Sequence, residues 1–60
     1  MKADQIKRGD QLVSAGQVVY TVETLTEAPV GIVATVRYRD GGPGERLWAP
    51  SDQVPLQRPA

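Results

Sequence analysis

The densest run of chemically capable side chains is YRDGGPGERLWAP, Tyr38 to Pro50, where Arg39 and Arg46 flank a glycine-rich stretch. Arg37 precedes it and Trp48, the only tryptophan, closes it. A glycine-rich run binds phosphate when its amides open a helix and a Lys-Ser or Lys-Thr pair follows. Gly41-Gly42-Pro43-Gly44 has no such sequel, and Pro43 removes an amide donor. Glu45 to Ala49 reads as a strand, so the run is expected to be a hairpin connector, with Gly41, Gly42 and Gly44 supplying positive φ.

Two registers of that hairpin stay open. If Arg39 lies opposite Arg46, then Arg37 lies opposite Trp48. All four then share a face that could stack on a nucleobase or anchor a protein contact, at the cost of a like-charged pair. If Tyr38 lies opposite Arg46 instead, Val36 faces Trp48 and the indole joins the core with Ile32 and Val18. A lone tryptophan in a small protein usually supplies core area, which favours the second register. Arg37, Arg39, Arg46 and Trp48 are the candidate binding residues, with Lys7 and Arg8 at their edge.

The inventory for catalysis is poor. There is no His and no Cys, which removes the usual ligand set for structural zinc and the common nucleophile-base pairs. Ser14 and Ser51 have no visible base, although Lys2 and Lys7 stay in the inventory. The acids are spread as Asp4, Asp10, Glu23, Glu27, Asp40, Glu45 and Asp52, mostly in turns, without the dense spacing that calcium or magnesium needs. They read as solvated turn acids, and Asp10, after Gly9, as the cap of a tight turn into the first strand. No enzyme activity, cofactor or small-molecule substrate is expected.

Sixty residues allow one domain, expected over residues 1–57 with a frayed tail at 58–60, and too little buried surface for a deep cleft. Seven basic and seven acidic residues cancel, which argues against affinity that rests on neutralising a phosphate backbone. No apolar run approaches the roughly 18 residues of a membrane span, and Met1-Lys2 leads into Ala3-Asp4-Gln5 without a signal-like segment. The expectation is a soluble, cytoplasmic protein with no membrane partner.

The elements that must position these side chains are strands. Eight Val and two Ile stand against four Leu and no Phe, and the apolar residues alternate. Val18, Tyr20 and Val22 fall on one face; Ile32, Ala34, Val36 and Tyr38 on another. Turn residues at 9–10, 15–16, 28–31, 40–44 and 50–51 bound strands near 11–14, 17–25, 31–39, 45–49 and 54–57. Ala3 to Arg8 has room for one helical turn. Ser51-Asp52-Gln53 reads as a single helical turn, with a capping hydroxyl, before the last strand. The expected core is Ile6, Leu12, Val18, Tyr20, Val22, Ile32, Ala34, Val36, Leu47, Val54 and Leu56.

This plan resembles a small SH3-like barrel: all-β, about five antiparallel strands, one short helical turn before the last. Ile6, Gly9-Asp10-Gln11-Leu12 and Gly16 to Val22 are similar to the opening of such barrels, and Trp48 to Val54 to their closing turn and strand. Peptide-binding SH3 domains and Tudor-type readers rely on several aromatics, whereas only Tyr20, Tyr38 and Trp48 are present here, so neither ligand carries over. The KOW motif also begins near a Gly-Asp pair, but its second glycine-rich turn is not matched.

The function expected is non-enzymatic binding. A protein partner or a homodimer ranks ahead of nucleic acid, with an exposed patch around Val19, Val33 and Leu25 as the contact. A nucleic-acid surface built from Arg37, Arg39, Arg46 and Trp48 is the alternative.

Overall fold

The computed structural model describes residues 1–59 and is all-β apart from one 3₁₀ turn, Ala3–Gln5. Its strands are β1 (Gln11–Ser14), β2 (Gln17–Ala28), β3 (Gly31–Tyr38), β4 (Pro43–Trp48) and β5 (Leu56–Gln57). They form one antiparallel sheet in the order β4-β3-β2-β1-β5. Among the described residues no pairing joins β4 to β5, so hydrogen bonds do not close the sheet into a barrel. Among the described residues no helix is long and apolar enough to cross a membrane.

The connections follow from their turn residues. Ser14 faces Gln17 across a two-residue turn in which Ala15 (φ 52) and Gly16 (φ 77) both take positive φ, the geometry that matches strand twist. Gly31, at the start of β3, has φ 140, and a Cβ there would lie 2.5 Å from the Trp48 carbonyl oxygen, so only glycine fits. β2 runs three residues beyond the expected Leu25. A bulge between Val22 and Thr24 resets its alternation, bringing Leu25 opposite Ala34.

The expected helical turn at 51–53 is not formed. Residues 49–52 make a β-turn instead: the Asp52 amide donates to the Ala49 carbonyl and the Asp52 carboxylate accepts from the Ala49 amide, both at 2.9 Å. Pro50 pre-sets the turn, and the exposed Ser51 caps nothing. The last strand is shorter than expected because the Leu56 amide bonds back to the Val54 carbonyl across Pro55, a three-residue turn. The N-terminal residues stitch down residues 50–54: Ala3 donates to Asp52, Asp4 to Pro50, and Met1 and Val54 bond reciprocally.

The core comprises Ala3, Ile6, Tyr20, Val22, Ile32, Ala34, Val36, Trp48, Val54 and Leu56. Three expected members differ. Leu12 is partly buried against this cluster, Val18 is half-buried, and Leu47 is 58% exposed. Leu47 and Trp48 are neighbours on one strand and must point to opposite faces, so only one can be core.

Candidate functional site

β3 and β4 position the candidate residues, and their register is neither of the two expected. Ile32 lies opposite Trp48, Ala34 opposite Arg46, Val36 opposite Gly44 and Arg37 opposite Pro43. The connecting loop shrinks to residues 39–42, because Pro43 and Gly44 enter the strand. Proline costs no hydrogen bond where its nitrogen faces an open edge. Gly44 lies so close to the Tyr38 ring that a Cβ would collide with it, so its role is space and not positive φ. Within the loop only Gly41 has positive φ. Its amide donates to the Tyr38 carbonyl and the Gly42 amide to the Asp40 carboxylate, which leaves neither free for a phosphate.

The shared face of three arginines and an indole is therefore not built. Trp48 is buried in the core on the side of Ile32. Arg37 projects from the opposite face, where it reaches Glu23 at 3.3 Å and the Gly41 carbonyl at 2.8 Å. Arg39 sits in the loop, its amide on the Val19 carbonyl and its guanidinium on the Gln17 side-chain oxygen. It spans a broad open groove of about 880 Å³ floored by Val18, Val19 and Tyr38. Arg46 is on the Trp48 side of β4, with its guanidinium carbon 5.9 Å from the Tyr20 ring centroid, a cation-π contact. Tyr20 in turn meets Tyr38 edge to face at 5.9 Å. Burial pushes the Tyr20 hydroxyl above its ordinary value, with Arg46 pulling the other way.

The expected apolar patch is also redrawn. Val19 and Leu25 pack against the core, whereas Val33 faces Leu47 on the outer surface of β3 and β4. Thr26 continues that row beyond Val33, and Thr24, Thr35 and Glu45 form the next one. Among the described residues the exposed large apolar side chains are Val30, in the turn before β3, and Leu47, which lies beside the half-buried Val33 at the edge of the sheet. Leu47 reads as a core residue in the sequence because the alternation of β4 can be read in either phase; the structure exposes it.

Asp10 fulfils its capping expectation and departs from its solvated one. Its carboxylate accepts from the Lys7 amide at 2.9 Å, but it is buried and also receives Arg58, through Nε at 3.1 Å and Nη2 at 3.2 Å. Arg58 additionally donates to the Gln5 carbonyl at 3.0 Å. The expected frayed tail is therefore anchored at Arg58, while Ala60 lies outside the described residues. Burial alone would raise the Asp10 pKa; the Arg58 hydrogen bonds, the Lys7 amide and the two positive charges outweigh it and hold the carboxyl below its ordinary value.

Ser14 and Ser51 are both exposed. Among the described residues no three His, Cys, Asp or Glu side chains cluster as metal ligands. Compared with protein-family models, curated proteins and solved structures, the chain matches none of them.

Proposed function

We propose that this chain is a non-enzymatic, SH3-like binding module that takes a protein partner on the β4 side of its sheet. The observation that carries the reading is Leu47: a large apolar side chain, 58% exposed, paired with Val33 on the outermost strand. Apolar surface at an unpaired strand offers a partner both side-chain burial and main-chain hydrogen bonds. The meander from β1 to β4, with β5 returned beside β1, supports the SH3-like part of the reading. Dispersal of Arg37, Arg39 and Arg46 to an outer face, a loop and the mouth of the core weighs against a phosphate-binding surface.

The test is retention of binding partners from cell extract on immobilised chain, with nuclease treatment and across a salt series. The expected result is protein captured by the native chain, insensitive to nuclease, and lost with Leu47→Lys. Retention of nucleic acid alone, falling steeply as salt rises, would overturn the reading.

A further inference from the structure

The open edge of β4 has defined limits. The Tyr38 amide donates to the Gly42 carbonyl at 2.8 Å, which makes these two a hydrogen-bonded pair. Bonded and non-bonded pairs alternate along an antiparallel ladder. On the register that runs from Arg37 opposite Pro43 to Ile32 opposite Trp48, Gly44, Arg46 and Trp48 therefore direct their amides and carbonyls at β3. Those of Glu45 and Leu47 point away from it, and β4 pairs with no other strand among the described residues. Pro43, which has no amide, bounds the edge on one side. On the other, the outward groups of Ala49 are already taken by Asp52. What remains is Glu45-Arg46-Leu47, with two complete donor-acceptor sets.

A second copy fits this edge badly. Self-pairing that uses both sets centres a two-fold axis on Arg46 and sets two guanidiniums against each other. Centring on Glu45 opposes two carboxylates. Centring on Leu47 drives the partner's Glu45 toward Ala49, where Asp52 occupies the edge. Two of these registers set like charges opposite each other and the third meets an edge already taken, whereas a different strand need do neither.

Arg46 takes part in neither ion pair found among the described residues. It borders a groove of about 270 Å³ whose lining combines the apolar Leu12, Tyr20, Trp48, Val54 and Pro55 with Gln53 and with Asp52, whose carboxylate already accepts from the Ala49 amide. Its neighbours Glu45 and Leu47 project from the other face, one acidic and one apolar. We propose that β4 takes an extended segment of another protein as a sixth, antiparallel strand over Glu45-Arg46-Leu47, a segment that reads apolar, acidic, basic from its N-terminus. This rests on the protein-partner reading above. The apolar residue extends the Val33–Leu47 row, the acidic one meets Arg46 at the groove, and the basic one meets Glu45. Main-chain bonds supply affinity and the alternating side chains supply selectivity.

The test titrates the full chain, ¹⁵N-labelled, with a blocked heptapeptide whose central residues are valine, glutamate and lysine between threonine flanks. A control peptide exchanges the glutamate and lysine. The first peptide should move the Glu45 and Leu47 amide resonances and bind about tenfold more tightly than the control, as expected for two attractive pairs turned repulsive. Arg46→Glu, at an exposed position, should remove that preference. Equal binding of both peptides at β4 would overturn the charge pattern while the protein-partner reading stands. Unmoved Glu45 and Leu47 amides with either peptide at millimolar concentration would overturn the edge as the docking site. Dimerisation of the free chain with a protected Leu47 amide would make a second copy the occupant and overturn the proposal.

Discussion

The two outer strands of the sheet are each associated with an arginine, and the two arginines are held differently. Just past β5, Arg58 is consumed: it clasps the buried Asp10 with two nitrogens and the Gln5 carbonyl with one, tying the last residues to the first turn. On β4, Arg46 lies over the Tyr20 ring and joins neither ion pair found among the described residues. Arg58 completes a network in which every acceptor has its donor, and its job is cohesion. Arg46 engages Tyr20 and lies beside the outward backbone groups of Glu45 and Leu47, which no other strand among the described residues takes up, the arrangement the proposed sixth strand would use. Residue type does not separate these roles; the partner within reach does.

The contrast breaks most visibly if the clasp is removed. Asp10→Ala deletes the acceptor of the Lys7 amide and strands that donor in a partly buried turn. A loss of about 2–3 kcal/mol is expected, out of a total of roughly 3–9 kcal/mol for a chain of this length. Urea unfolding at neutral pH measures it directly. Asp10→Asn should recover part of the loss, because its amide oxygen still accepts from Lys7. A change within about 0.5 kcal/mol for Asp10→Ala would put the clasp among ordinary surface contacts, and the comparison would fail on its stronger side.

Acid reaches the same contact with a smaller effect. The Asp10 carboxyl titrates below its ordinary value in the folded chain, so folding favours the ionised form. The stabilisation is complete above the unfolded value of about 3.9 and is lost as pH falls through the lower, folded value. Unfolding midpoints followed from about pH 6 to pH 2 should therefore drop more for the native chain than for Asp10→Asn. Arg58→Gln should flatten the acid limb as well, since the lowering depends largely on Arg58. A native chain that loses no more stability in acid than Asp10→Asn would show that Arg58 does not hold this carboxylate.

Most of the fold is legible in the sequence because alternation and turn chemistry are local. The β-branched runs mark β2 and β3, Ala15-Gly16 and Pro29 to Gly31 mark their turns, and Gly9-Asp10 marks the entry to β1. The site is less legible because it depends on register, which is not local. Pro43 and Gly44 look like loop residues, yet each suits a strand: one because its nitrogen faces an open edge, the other because Tyr38 needs the space. Moving them into β4 slides the pairing by four residues from the register that buries Trp48 opposite Val36. The side of the indole survives that slide, since an even shift preserves facing; its cross-strand partner changes from Val36 to Ile32. The Asp10–Arg58 pair spans 48 residues and has no signature in either segment. The bulge after Val22 likewise shows only once β3 is laid beside β2.

The smallest expected effect is the sharpest test of the other edge. Arg46→Gln removes a cation-π contact at an exposed site, worth about 0.5 kcal/mol, and breaks no ion pair. Its unfolding midpoint should fall by no more than roughly 4 °C, since 1 kcal/mol shifts a domain of this size by about 4–8 °C. A thermal melt of Arg46→Gln beside Asp10→Ala compares the two edges under one condition. If both variants lose the same stability, Arg46 is a strut pinning Tyr20 into the core, and a partner could recruit it only by undoing the fold. If Arg46→Gln melts almost where the native chain does, the guanidinium is free to turn toward an incoming carboxylate at little cost to the structure that presents it.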